Sequence, residues 1–174
     1  MSLDGVDRTR VGLATASAVG LVGLLVFASL NSEPPAQVGS NGDVLGPEGG
    51  QTLSAYRDEA NQTLAEAPQD QPAYSMVTFS STLTPQEVGE ITSELRRVNA
   101  VVSQANAPRP IPEPVEGATR AEVFQQYTDG LDAVIAYDTP EALKPLLDDP
   151  RVLAVEVLPP DAVWGAFGVR PPRA

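Results

Sequence analysis

The chain has 174 residues, 23 acidic against 11 basic, for a net charge of −12, and it contains neither cysteine nor histidine. Those absences remove disulfides, thiolate metal sites, Cys–His and Ser–His–Asp triads and histidine-ligated haem by residue type alone. The acidic excess repels phosphate backbones, so nucleic acid is not expected as a partner. All of that excess lies beyond residue 30, because Asp4, Asp7, Arg8 and Arg10 cancel one another.

Residues 1–10 precede a stretch, 11–30, that reads VGLATASAVGLVGLLVFASL without a charge or a proline. At ~1.5 Å per residue, such a helix spans ~30 Å, the hydrocarbon thickness of a bilayer. The expectation is a retained transmembrane helix. A cleaved signal peptide is the competing reading, with Arg8 and Arg10 as its n-region and Val26 and Ala28 at its −3 and −1 positions. The apolar stretch is longer than the ~7–15 residues usual for a secretory h-region. The next basic residue after it is Arg57, so the positive-inside rule predicts a cytoplasmic N-terminus and an extracytoplasmic remainder at the plasma membrane. Gly12, Ala16 and Gly20 form a small-residue stripe that suits helix packing in lipid.

Residues 31–50, rich in glycine, proline and polar side chains, read as a flexible linker. Residues 51–72 then give an amphipathic helix and connector. Leu53, Tyr56, Ala60 and Leu64 lie on one face, and Pro68 to Pro72 end the helix. Asn61-Gln62-Thr63 matches a glycosylation sequon. The α/β domain is predicted over 73–158. Its first strand, about 73–80, alternates Ser75, Val77 and Phe79 against Tyr74, Met76 and Thr78. A helix follows with Thr84 as N-cap, Pro85 at N1 and Glu87 at N3, a capping box. Its apolar stripe is Val88, Ile91, Leu95 and Val98. A second strand is expected at 98–103.

Residues 107–117, APRPIPEPVEG, form a proline-rich extended loop, either a stiff connector or a recognition segment through Pro110 and Pro112. A second capping box, Thr119 to Glu122, opens a predicted long helix over 119–137 with Val123, Tyr127, Leu131, Val134 and Ile135 as its stripe. Thr139-Pro140 starts a short helix that Pro145 limits. Residues 151–158, RVLAVEVL, read as the last strand. The tail, 159–174, carries the only tryptophan, Trp164, with Phe167 as its neighbour. Both are candidates for core packing or for partner contact.

Leu143 to Glu156, LKPLLDDPRVLAVE, resembles the closing helix–turn–strand of the subtilisin propeptide and peptidase inhibitor I9 domains. Tyr74 to Phe79 resembles their opening strand, and Thr84 to Leu95 their first helix. The resemblance implies a ferredoxin-like α/β sandwich, one sheet covered by helices. The expected fold class is thus α+β, with an N-terminal transmembrane helix and a linker ahead of that sandwich. The inhibitory segment of that family lies at its C-terminal end, where this chain runs into an aromatic tail. The likeness therefore bears on fold more than on protease inhibition.

Chemistry would have to rest on carboxylates. Asp148 and Asp149 adjoin one another before Pro150, and Asp129 with Asp132 would share one face of the predicted long helix as a weak cation site. No glycine-rich phosphate loop follows a predicted strand. The sequence thus predicts a non-enzyme without cofactor or metal site: a membrane-anchored, extracytoplasmic binding or accessory protein docking on a larger membrane or envelope complex. The alternatives are a tethered protease inhibitor or chaperone-like module, and a carboxylate hydrolase or weak cation-binding module.

Overall fold

The computed structural model describes residues 42–103, 106–127 and 129–172. The strands are β1 (Val44–Leu45), β2 (Ala73–Leu83), β3 (Val98–Val102), β4 (Arg109–Pro110), β5 (Leu131–Asp138), β6 (Val152–Val157) and β7 (Gly168–Val169). The helices are α1 (Leu53–Glu66), α2 (Pro85–Ile91), α3 (Arg120–Phe124) and α4 (Pro140–Leu143), the last running into a 3-10 turn at Lys144–Asp148. Five strands form one sheet in the order β4–β3–β5–β2–β6, every neighbouring pair antiparallel. β1 and β7 form a separate parallel ladder, Val44 opposite Gly168 and Leu45 opposite Val169.

The expected fold class needs correction. A transmembrane helix followed by a sandwich with a single sheet gives way to a mixed α/β unit with this five-stranded sheet and the extra ladder. No helix among the described residues is long and apolar enough to cross a membrane. The physical reason is plain in α1, which has 14 residues, about 21 Å at ~1.5 Å each, and carries Arg57, Asp58, Glu59 and Glu66. The stretch 11–30, with Gly12, Ala16 and Gly20, lies outside the described residues.

The long helix expected over 119–137 is also corrected. Thr119 and Glu122 do form the reciprocal capping box, but α3 ends at Phe124. Residues 131–138 are instead β5, a strand paired with β3 on one side and β2 on the other. Six consecutive residues, Leu131 to Ala136, are buried. A strand covered on both faces reads as a continuous apolar run rather than an alternating one, and the β-branched pair Val134-Ile135 suits it.

Successive strand residues point to opposite faces, and two cores result. Val77, Phe79, Val101, Val134 and Val155 face Val88 and Ile91 of α2, Phe124 of α3 and Leu143 of α4. Met76, Ala100, Val102, Ala133 and Ile135 face the other way, under Leu45, Leu158, Ala162, Phe167 and Val169. The residues read as linker and tail therefore cover the second face of the sheet, and Leu45 is fully buried there.

α1 closes the open edge of β6. Asn61 Oδ1 accepts from the Val155 amide at 3.2 Å, and Thr63 Oγ1 accepts from the Val157 amide at 2.8 Å. Two edge N–H groups that would otherwise recruit a foreign strand are thereby paired. The sequon residues Asn61 and Thr63 are part of this edge closure. The opposite edge is β4, two residues long and ending in Pro110, which lacks a donor for further pairing.

Candidate functional site

The C-terminal segment lays its aromatic residues across the uncovered part of the second sheet face. Tyr74 on β2 and Tyr137 on β5 are register partners, and their rings lie 4.8 Å apart. Trp164 and Phe167 pack on Tyr74 at 5.6 and 5.2 Å, and on each other at 5.9 Å in an edge-on arrangement. These separations are those of mutually attractive aromatic pairs. Four of the nine aromatic residues in the chain meet here.

The cluster is not sealed. Trp164 remains 37% exposed and Val163 54% exposed. An open cavity of about 190 Å³ lies between Pro108, Ile135, Trp164, Gly165, Phe167 and Val169. Burial and the neighbouring Tyr137 raise the Tyr74 pKa, and Arg97 opposes them; the Arg97 carbonyl accepts from the Tyr137 amide at 3.0 Å. Arg96 and Arg97 are both exposed. Among the described residues, the Trp164 indole N–H makes no hydrogen bond and lies on a residue that lines the hollow.

A second constellation lies where the N-terminal arm meets α1 and β6. Glu156 Oε2 accepts from the Gly46 amide at 2.7 Å and from the Tyr56 hydroxyl at 3.1 Å. Thr78 Oγ1 lies 3.2 Å from the same phenol oxygen. Burial raises the Glu156 pKa, with Glu59 adding to the effect; the bonds from Gly46 and Tyr56, and Arg170, work against it. Burial and the Glu156 charge push the Tyr56 phenol up as well. The polar hollow beside them measures only about 70 Å³ and is lined by Glu48, Gln51, Glu59 and Arg170 among others. Glu156 thus ties three segments together and leaves little room for a substrate.

The sequence-derived candidates separate. Trp164 and Phe167 come together in the aromatic cluster. Pro110 and Pro112 are exposed, but the proline that lines the cavity is Pro108. Asp129 and Asp132 do not share a helix: Asp129 is exposed in a turn, and Asp132 is buried on β5, where it accepts from Thr82 Oγ1 at 2.5 Å. Asp149 is bound by its neighbour Arg151, at 2.9 Å from the backbone amide and 2.8 Å from Nη2, which lowers its pKa. Asp148 is exposed. Asp138 accepts from the amides of Arg96 and Thr139 at 2.6 and 2.8 Å. Among the described residues, no group of three or more acidic side chains could hold a metal ion.

Tyr137, Pro108 and the Gly46–Tyr56–Glu156 knot carry no local signal in the sequence, and Arg97, which suits a helix C-terminus by residue type, lies beyond α2, which ends at Ile91. The alternation of Tyr74 against Val77 and Phe79 is the one local signal that points to the outer face. Comparison of the chain with protein-family models, curated proteins and solved structures finds no match in any of the three.

Proposed function

We propose that this chain is a non-catalytic docking module that binds a protein partner through the surface around Trp164, as an accessory part of a larger assembly at the membrane. The observation that carries the reading is the open aromatic cluster. Trp164 stands partly exposed against Tyr74 and Phe167 and lines a shallow hollow, and Val163 beside it in the chain is exposed. Aromatic anchors in partly desolvated pockets are where binding energy concentrates in protein interfaces, whereas scattered surface apolar residues carry little. The cavity is smaller than the ~300–1,000 Å³ of sites that enclose a small molecule, which favours a side chain of a partner over a metabolite. A membrane location rests on the uncharged sequence 11–30 and on the positions of Arg8 and Arg10. The non-catalytic reading is supported by the burial or pairing of Asp132, Asp138 and Asp149 and by the small hollow at Glu156.

Affinity purification of the full-length chain from native membranes in mild detergent tests this reading, with Trp164→Ala run in parallel. The expected result is a stoichiometric protein that co-purifies with the wild type and whose Kd for the variant is raised at least ~30-fold, as for an interface hot spot of ~2 kcal/mol. Recovery of the chain alone, or equal recovery with both, contradicts it.

A further inference from the structure

Resting on the docking reading, we infer that the Trp164 surface takes an extended, proline-bearing segment of the partner that carries acidic residues. Three features point to this class. The first is shape. The hollow between Pro108, Ile135, Trp164, Phe167 and Val169 is shallow, open and walled by rings, a form suited to a flat pyrrolidine or a branched aliphatic side chain and not to a whole helix. The second is hydrogen bonding. A polyproline II segment makes no internal hydrogen bonds, so its carbonyls are available along its length. The one polar side-chain group among the rings that line the hollow is a donor that would answer them, the Trp164 indole N–H. Aromatic-lined grooves recognise preformed extended segments in this way at low entropic cost.

The third feature is charge. The chain is strongly acidic as a whole, yet the exposed Arg97 adjoins the aromatic cluster, its carbonyl accepting from the Tyr137 amide at 3.0 Å. The Arg97 charge acts on Tyr74. Of the remaining described arginines in this half of the chain, Arg109 is held by Ser103 and the Tyr127 ring, Arg120 by Glu113, and Arg151 by Asp149 and Glu90, while the exposed Arg170 follows Val169 of the hollow. A ligand that runs across the rings thus meets positive charge at the Tyr74 end, which selects an acidic segment and raises its association rate.

The test uses fluorescein-labelled acetyl-Glu-Pro-Pro-Leu-Pro-Glu-amide and fluorescence anisotropy with the full-length chain. Two further peptides serve as comparisons, one with serine in place of every proline and one with lysine in place of both glutamates. The expected result is saturable binding of the first peptide, at least ten-fold tighter than either comparison at low salt. Arg97→Glu should reverse the preference between the acidic and lysine peptides; Arg97 is exposed, so the fold is not at stake. No saturable binding, equal binding of the serine peptide, or an unchanged charge preference in Arg97→Glu overturns the inference. If it is overturned while Trp164→Ala still loses the co-purifying protein, the docking reading stands with a ligand of another class. If both results fail, both fall.

Discussion

Replacing Gly46 with alanine probes how the N-terminal arm is held against the sheet. Gly46 has φ +97°, and a Cβ there would lie 2.1 Å from the Arg170 carbonyl oxygen and 3.0 Å from its carbon. Both atoms are backbone, so no rotamer change relieves the clash, and the arm has to move. Movement breaks the Gly46 amide bond to Glu156 and the Arg170 amide bond to Leu45, worth about 1 kcal/mol each or somewhat more for the bond to a carboxylate. It also exposes Leu45, which is fully buried, at about 1.5–3 kcal/mol. Regained backbone entropy of about 1–2 kcal/mol per freed residue offsets part of this. The expected net loss is roughly 2–3 kcal/mol. Gly50→Ala is the matched control: its φ is +82°, but nothing lies within 4 Å of the added Cβ, so only the conformational penalty of about 1–2 kcal/mol applies. Urea unfolding of both variants measures the difference, and hydrogen exchange at Leu45 shows whether the arm has lifted. Equal destabilisation by the two substitutions, or unchanged protection of Leu45 in Gly46→Ala, refutes the clasp.

Further outcomes follow from the same contacts. Because burial raises the Glu156 pKa in the folded state, the native protein holds that proton more tightly than the unfolded chain. The contribution is therefore complete below the ordinary carboxylate range and is lost as pH rises through the raised value. Glu156→Gln, which keeps an acceptor for Gly46, should match the wild type in acid and exceed it increasingly toward neutral pH in urea midpoints; a difference that is flat or shrinks with pH contradicts the assignment. Thr63→Val removes the acceptor of the Val157 amide and should lower stability by about 1–3 kcal/mol, read by chemical denaturation. Phe124→Ala, at a fully buried position between α3 and the sheet, should lose about 3–5 kcal/mol, measured in the same way.

What the sequence revealed depended on the range of the signal. Thr84, Pro85 and Glu87 mark a helix start within four residues, and both halves of that capping box are present. The stripe of α1 is legible for Tyr56, Ala60 and Leu64, but Leu53, at the first position of the helix, is 45% exposed. β5 was misread because Leu131, Val134 and Ile135 continue a 3–4 spacing from α3, and a strand buried on both faces offers no alternation to oppose it. The candidate site was less legible still. Trp164 and Phe167 stood out by residue type, but their contact with Tyr74 bridges the tail and β2. The Gly46–Glu156 and Tyr56–Glu156 bonds join residues 110 and 100 positions apart. No local pattern encodes such pairings.

The central claim is that the aromatic surface meets a protein. A photo-reactive amino acid at position 163 tests it in intact native cells, with the same group at position 115 as the comparison. Val163 adjoins Trp164, and Val115 is more exposed, at 76%, on the proline-rich loop. The account predicts a discrete cross-linked protein from position 163, absent from position 115 and lost when Trp164→Ala is added. Equal labelling at the two positions, or none at position 163, would contradict it.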